Sequence, residues 1–276
     1  MASQANTVTH LTRAAGQRTF GTDATGYHAG RIGYPEELFD AIFARVGHRP
    51  RILEIGPGTG LSTRSLLARD PAELVAVESD PALVDYLRRE IADPRLTVVN
   101  APFPDGLVNG SFDLVVCAAA FHWLEPQPAL ARIHQLLRPG GVWAMWWNAY
   151  RNPSCGDPLA QAITAMLDDV ALPPSEGRDG HYSLDVALHT AALTSAGFLD
   201  VRHQRYLLER TLTAAEARAL YASYSYVRAL PERRRAELLD AIAELVDTEF
   251  GGRAPNVVIT AAYSALREGA ASQPNG

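Results

Sequence analysis

The residues best placed to do chemistry lie in a glycine-rich run that follows a short apolar segment. Residues 52–60 read Ile-Leu-Glu-Ile-Gly-Pro-Gly-Thr-Gly. The apolar part is typical of a buried parallel strand. Gly56, Gly58 and Gly60 allow the backbone to turn tightly and to approach a ligand that a β-carbon would exclude. The run therefore predicts a cofactor-binding loop at the end of a strand.

Two carboxylates near this loop indicate the kind of cofactor. A dinucleotide fold requires Gly-x-Gly-x-x-Gly, but Leu61 occupies the position of the third glycine of that pattern. Glu54 would repel a pyrophosphate and attract an ammonium group. The next apolar segment ends in Glu78, where nucleotide-binding folds of this kind place a carboxylate that accepts both ribose hydroxyls. The residues favour a ligand with a ribose and a positive charge.

Further motifs follow along the chain in a specific order. They are Ser-Phe-Asp-Leu-Val-Val at 111–116, Phe-His-Trp at 121–123 and Leu-Arg-Pro-Gly-Gly at 137–141, preceded by Tyr-x-x-x-Arg-x-x-Tyr-Pro at 27–35. With these motifs, over about residues 20–147, the chain resembles the class I S-adenosylmethionine-dependent methyltransferases. The branch it resembles is the bacterial small-molecule methyltransferases of type 11. The resemblance implies S-adenosylmethionine as the cofactor and a small molecule as the methyl acceptor.

The resemblance also implies which residues bind the cofactor. Glu54 would reach the methionine ammonium and Glu78 the ribose hydroxyls. Arg31 is a candidate for the methionine carboxylate, because a guanidinium can bind a carboxylate through two hydrogen bonds. The full predicted set is Tyr27, Arg31, Tyr34, Glu54, Gly56, Gly58, Gly60, Glu78, Ser79, Ala101, Phe103 and Ala118. Two alternatives stay open: the Tyr27–Tyr34 segment as plain surface before a helix, and the alanines from Ala118 onward as plain close packing.

Methyl transfer from a sulfonium is an in-line displacement, so the protein mainly positions two reactants and excludes water. His122 is the candidate catalytic residue. Family analogy points it toward the transferred methyl as a general base, and a packed or capping histidine is the alternative. Aromatic residues at predicted strand ends and in predicted covering segments favour an apolar or aromatic acceptor. The predicted substrate residues are Trp123, Trp147, Tyr150, Tyr182 and Tyr224.

Composition narrows the functional classes. The chain has 276 residues, is 47% hydrophobic and carries a net charge of −6, so it can bury a full core but lacks the basic surface that nucleic acid requires.

The two cysteines are isolated and the eight histidines scattered, so neither a metal site nor a disulfide is expected. No membrane-spanning run or signal peptide is evident, which predicts a cytoplasmic protein that does not bind membranes. The oligomeric state is left open.

Alternating strand and helix patterns predict the architecture. We expect an α/β, doubly wound, Rossmann-like fold with a mostly parallel seven-stranded sheet and helices on both faces. Residues 1–16 are predicted as a mobile arm, 17–268 as one methyltransferase domain and 269–276 as a disordered tail. Within the domain, prolines and glycines predict a lid at about 148–183, and a helical roof is expected at about 213–250.

These observations converge on a functional hypothesis with rivals. We expect methyl transfer from S-adenosylmethionine to a small-molecule acceptor, with O-methylation of an apolar or aromatic metabolite favoured. C-, N- or carboxyl-methylation is the alternative, as is a protein that binds the cofactor without methylating. An NAD-dependent oxidoreductase is disfavoured by Leu61 and Glu54.

Overall fold

The computed structural model describes residues 24–105, 108–152, 156–168, 170–175 and 181–269. The predicted N-terminal arm lies outside the described residues, as does the predicted tail from residue 270 onward. Cys155 also lies outside them, whereas Cys117 is a buried free thiol.

A seven-stranded sheet organises the fold. In chain order its strands are β1 (Arg51–Ile55), β2 (Glu73–Glu78), β3 (Leu96–Asn100), β4 (Phe112–Ala118), β5 (Leu137–Ala149), β6 (Phe198–Thr213) and β7 (Arg253–Arg267). Their order in the sheet is β3-β2-β1-β4-β5-β7-β6. The pairs β2–β3, β1–β2, β1–β4 and β4–β5 are parallel. The strands are added outward from β1 in one direction as β2 and β3, and in the other direction as β4 and β5. This switch point, between β1 and β4, is where doubly wound folds bind ligands.

Helices alternate with the strands. They are α1 (Ala24–Gly30), α2 (Glu36–Phe43), α3 (Leu61–Leu67), α4 (Pro81–Glu90), α5 (Pro126–Leu136), α6 (Pro158–Thr164), α7 (Val186–Ser195), α8 (Ala214–Ala222), α9 (Ser225–Arg228) and α10 (Glu232–Glu249). Asp-Pro at 80–81 is a typical helix start, and the structure confirms it: the Asp80 carboxylate accepts a hydrogen bond from the Ala82 amide, and Pro81 opens α4. Among the described residues, no helix combines the length and apolar character that a bilayer crossing requires.

The residue patterns of 142–147, 159–170 and 214–226 predict one strand and two helices, and the structure places their boundaries differently. The strand expected at 142–147 begins at Leu137, so the helix before it ends at Leu136. The helix expected across 214–226 is interrupted, because Tyr224 has an extended backbone between α8 and α9. The helix expected at 159–170 ends at Thr164, whose hydroxyl donates to the carbonyl of Ala160, and continues as a short 3-10 turn.

The chain divides into two compact units. Unit 1 comprises the chain up to Arg31 together with Ala149–Leu184 and Leu207–Ile259. Unit 2 comprises Ile32–Asn148, Asp185–Tyr206 and the chain from Thr260 onward. The predicted lid and roof segments fall almost wholly in unit 1, and the glycine-rich loop falls in unit 2. The assignment of 17–268 to one domain stays a prediction.

Unit 2 has an apolar core beneath the cofactor loop. Buried residues of α2, α3 and α4 pack with β1, β2, β4 and β5. They include Leu38, Phe39, Ile52, Leu66, Leu87, Leu114 and Trp146. Burial of such side chains fixes the strands in register, and it therefore fixes the loops that follow their carboxyl ends.

Candidate cofactor site and two aromatic clusters

The glycine-rich loop joins β1 to α3 in unit 2. Gly56, Gly58 and Gly60 have φ angles of 64°, 60° and 81°, all in the left-handed region that only glycine enters without strain. A β-carbon on Gly56 would lie 2.7 Å from the β-carbon of Ala120, and one on Gly60 would lie 2.6 Å from Cδ1 of Ile91. At Gly58 no atom lies within 4 Å of that position. The first and third glycines are thus needed for packing, and the second faces open space.

Glu54 is a fully buried carboxylate in β1. The hydroxyl of Thr63 donates to its Oε2 at 2.7 Å, whereas its Oε1 is buried without a hydrogen-bond partner in the described part of the chain. Burial raises the pKa of Glu54 to about 7, against the opposing hydrogen bond from Thr63. An unsatisfied buried carboxylate oxygen is costly unless a donor, best a cationic one, reaches it. This geometry fits an ammonium ligand.

Glu78 ends β2 beside the loop. Its Oε2 accepts from the Gly58 amide at 3.2 Å and its Oε1 from the Asp80 amide at 3.0 Å, and Ser79 Oγ lies 3.5 Å from Oε1. Burial raises the pKa of Glu78, although these backbone bonds oppose the shift. Each carboxylate oxygen can accept a second hydrogen bond, so binding of ribose hydroxyls is compatible with these contacts. Glu78 has an additional role that the sequence did not indicate, because it ties the glycine loop to β2.

The predicted adenine-side residues follow β3. The amide of Ala101 donates to the carbonyl of Glu78 at 3.0 Å, so this segment starts next to the predicted ribose ligand. Ala101 and Phe103 line a small recess together with Val77 and Pro104. At about 10 Å³ the recess holds no more than a water molecule, so a role of Phe103 beside the adenine stays a prediction.

A tight turn follows β4. Ala118 ends the strand and pairs with Trp146 of β5. Ala119 has a φ of 53°, and its amide donates to the Trp146 carbonyl at 2.7 Å. The close approach of Ala120 to Gly56 brings the turn against the glycine loop. A larger side chain than alanine at position 120 would therefore push the two loops apart.

His122 lies in the short 3-10 turn that comes next. Its ring centroid is 4.5 Å from that of Trp123, and the indole Nε1 of Trp147 lies 3.2 Å from its Nδ1. An indole can only donate, so Nδ1 accepts and the neutral imidazole carries its proton on Nε2. The structure thus brings His122, Trp123 and Trp147 together, as residues of one reaction site would be.

Two further aromatic residues extend this cluster in unit 2. The ring of His189 stacks on Trp147 at 5.5 Å and contacts Tyr263 at 4.6 Å. Sequence reasoning missed both. His189 lies within a helix without a motif, and Tyr263 lies in an apolar strand, so only the packing of α7 and β7 against β5 identifies them.

Tyr34 has a different environment from the other predicted cofactor residues. Its ring packs edge-on against Trp146 at 5.9 Å and against Phe39 at 6.5 Å. It is partly buried against the apolar core of unit 2. Its contribution to cofactor binding stays a prediction, and its packing role is evident.

A second aromatic cluster surrounds Arg31 in unit 1. The guanidinium carbon lies 5.3 Å from the ring centroid of Tyr27, and 4.7 Å from each of those of Tyr150 and Tyr224. Burial by itself lowers the pKa of Arg31, but the three tyrosines more than offset this and the pKa lies above its usual value. The cluster joins two residues predicted for the cofactor with two predicted for the substrate.

Tyr182, the remaining predicted substrate residue, lies in a 3-10 turn of unit 1. Its ring contacts that of His181 at 5.4 Å, and its amide donates to the carbonyl of Ser175 at 2.9 Å. A substrate role for Tyr182 stays a prediction.

Known proteins share this architecture. Residues 53–145 match the family described as "Methyltransferase domain". An uncharacterised methyltransferase-like protein of Schizosaccharomyces pombe is 30% identical over 239 residues, which cover 83% of this chain and 87% of that protein. The malonyl-[acyl-carrier protein] O-methyltransferase of Anoxybacillus flavithermus is 31% identical over 120 residues, covering 42% and 46%.

A solved structure from Anaeromyxobacter dehalogenans, assigned as a type II methyltransferase, superposes with a TM-score of 0.65. It is 22% identical and covers 87% of this chain and 99% of that chain. This likeness, together with the strand order, confirms the predicted Rossmann-like α/β fold with a mostly parallel sheet.

Proposed function

The chain belongs to the class I S-adenosylmethionine-dependent methyltransferases, and from this premise we propose that it methylates an oxygen atom of a small molecule with an apolar or aromatic body. The observation that carries the proposal is the hydrogen bond between Trp147 and His122 at the edge of an aromatic cluster. With Nδ1 accepting this bond, a neutral His122 carries its proton on Nε2, and an N–H group of this kind is chemically suited to an acceptor oxygen.

S-adenosylmethionine, when bound, supplies a methyl group that is already activated as a sulfonium. The protein's own residues then have to bind and orient it. Glu54 would accept a hydrogen bond from the methionine ammonium through Oε1, which has no partner in the described part of the chain. Glu78 would accept hydrogen bonds from the ribose hydroxyls. The open space at Gly58 would admit the ligand against the backbone, and Phe103 would flank the adenine, as the family resemblance implies. Arg31 remains the candidate for the methionine carboxylate of the cofactor.

The acceptor would be oriented by the aromatic cluster of unit 2. Trp147 would fix the ring of His122, which would donate from Nε2 to the acceptor oxygen and hold it for in-line attack. A phenolate or carboxylate acceptor has no proton to lose, and a hydroxyl acceptor would release its proton to solvent. Proton removal by His122 is the alternative that the sequence suggested. It requires a free lone pair on Nε2, and so a ring that carries its proton on Nδ1 and has lost the bond from Trp147. Positioning is therefore the role that agrees with the observed geometry.

Incubation of the purified protein with methyl-labelled S-adenosylmethionine and a library of phenols, alcohols and carboxylic acids tests the proposal. The expected result is label in an O-methyl product identified by mass spectrometry and NMR. Label on nitrogen or carbon would contradict the proposal that oxygen is the acceptor atom. Tight binding of S-adenosylhomocysteine without transfer to any acceptor would favour the non-methylating alternative.

A further inference from the structure

The aromatic cluster of unit 2 continues beyond His122 and Trp147 as a series of ring contacts. His189 lies against the face of Trp147, with ring centroids 5.5 Å apart and an angle of 30° between the planes. Its ring centroid is also 4.6 Å from that of Tyr263, which in turn lies 4.8 Å from that of His203. All five side chains belong to unit 2, so the series lies within one compact unit.

Two neighbours constrain Trp147 in different ways. Its indole Nε1 lies 3.2 Å from Nδ1 of His122 at the edge of the ring, whereas His189 covers a face of the ring. A hydrogen bond fixes the position of one indole atom, and a ring packed on the face fixes the plane. Together the two contacts define the direction in which Nε1–H points, and therefore the orientation of His122.

The burial of His189 is unusual for its helix. The buried residues of α7 are His189 and Leu193, whereas Leu188 is 51% exposed. An imidazole costs more to desolvate than an alkyl side chain, so hydrophobic burial by itself would favour leucine at position 189. Positions that depart from the apolar pattern of a core are where functional residues are expected. The histidine therefore indicates a role other than filling space.

Tyr263 supports the other side of His189. It is a buried residue of β7, the strand next to β5 in the sheet. Burial raises the pKa of Tyr263 to about 12, and burial lowers the pKa of His203, so both rings are mainly neutral at pH 7. Neutral rings pack against their neighbours without the desolvation cost of a charge. Tyr263 therefore suits a rigid support for His189.

We propose that His189 and Tyr263 are positioning residues for methyl transfer, which hold the indole of Trp147 so that its Nε1–H keeps His122 oriented toward the acceptor. The proposal rests on the proposed function and adds two residues to its site. Both residues act through Trp147 and not on the reacting atoms. A displacement of about 1 Å in a group that orients the reactants can lower turnover by up to about 10²-fold, so such support matters for catalysis.

Substitution of His189 separates positioning from packing. His189→Leu keeps a buried side chain of similar size but loses the ring, so it should unfold no more easily than wild type and yet lower kcat by about tenfold. His189→Phe restores a ring face and should recover part of the lost kcat. Affinity for S-adenosylhomocysteine should stay within about threefold in both variants. His134→Leu is the matched control and should retain wild-type kcat, because His134 packs on Phe198 instead.

Two further measurements test whether His189 acts through Trp147. The double variant of Trp147→Phe and His189→Leu should have about the same kcat as Trp147→Phe by itself, because the second change removes support that is no longer used. In protein labelled with nitrogen-15, a scalar coupling across the bond from Nε1 of Trp147 to Nδ1 of His122 should be present in wild type. The coupling should weaken in His189→Leu and remain in His134→Leu.

Wild-type kcat in His189→Leu would overturn the proposal, as would additive losses in the double variant or a coupling that His189→Leu leaves unchanged. If His189→Leu fails to fold, Tyr263→Leu and Tyr263→Phe test the same support, and only the leucine variant should lower kcat and weaken the coupling. Failure of the proposed function would show separately, as a wild type that transfers no labelled methyl group to oxygen, because the coupling is measured without an acceptor.

Discussion

At the scale of single residues, the buried carboxylate of Glu54 makes stability depend on pH. Its pKa rises from an ordinary 4.5 to about 7 on folding because of burial. The folded state therefore binds a proton more tightly than the unfolded state, and stability falls as the pH rises from about 4.5 to about 7. The loss of unfolding free energy is on the order of 3 kcal/mol.

Glu54→Gln should remove most of this dependence in the cofactor-free protein. The free energy of unfolding, measured with denaturant at pH 5, 6, 7 and 8 for wild type and variant, checks this expectation. The variant should also bind S-adenosylhomocysteine about tenfold more weakly at pH 8, because the ammonium loses an ionised partner. Parallel pH profiles for the two proteins would contradict the assignment. Glu78 and Asp157, whose pKa values are also raised by burial, contribute to the dependence that remains.

His122 offers a choice between proton transfer and positioning that two substitutions can resolve. If the ring donates from Nε2, His122→Gln retains an amide donor and should keep clearly more turnover than His122→Ala. If the ring is a general base, both variants should lose about 10²-fold in kcat. Trp147→Phe keeps the bulk and removes the indole donor, so it should lower kcat with little change in cofactor affinity. A large loss of thermal stability in His122→Ala would instead indicate a packing role.

Glu78 tests the cofactor assignment. Calorimetry with S-adenosylhomocysteine should show Glu78→Ala weakened by about ten- to a hundredfold, with Glu78→Gln between it and wild type. Because the carboxylate also accepts from the Gly58 and Asp80 amides, both variants should unfold more easily even without ligand. Glu73→Gln, at the exposed start of the same strand, is the matched control. Equal affinities in wild type, Gln and Ala would remove the ribose role.

At the scale of elements, two glycines of the loop between β1 and α3 have different roles: Gly60 is needed for packing, and Gly58 is expected to contact the ligand. Gly60→Ala places a methyl group against Ile91 and Leu87, so it should lower the unfolding free energy by the strain of a left-handed alanine, about 1–2 kcal/mol, and by the cost of overpacking. Gly58→Ala meets no neighbouring atom and should cost only the strain. Its larger effect should be on S-adenosylhomocysteine affinity. Unfolding and binding measured on both variants check this, and identical profiles would contradict it.

At the scale of the whole molecule, the predicted lid at 148–183 and the Tyr27–Tyr34 segment should respond to ligand. Displacement chemistry benefits when water is excluded, so closing segments are expected to become ordered once the cofactor binds. Amide hydrogen exchange in both segments should slow when S-adenosylhomocysteine is added. Exchange that stays unchanged at saturation would remove the lid hypothesis. Residues of α2, outside both segments, provide an internal reference.

The sequence by itself determined the local parts of the cofactor site. Gly56 and Gly60 are recognisable because their backbone angles and close neighbours admit nothing larger, and Glu54 and Glu78 because an acid in an apolar strand needs a partner. These requirements act over a few neighbouring residues, so short sequence motifs are enough to recognise them. The alternation of apolar strands with capped helices determined the doubly wound sheet for the same reason.

Only the tertiary structure decided which distant side chains meet. Arg31 donates to the carbonyl of Ser223, which lies 192 positions away, and its neighbours Tyr150 and Tyr224 come from segments without a shared motif. The bond from Trp147 to His122 and the contacts of His189 with Trp147 and Tyr263 arise in the same way. Packing of elements far apart in the chain depends on shape and burial summed over the whole core, and no local spacing encodes that sum.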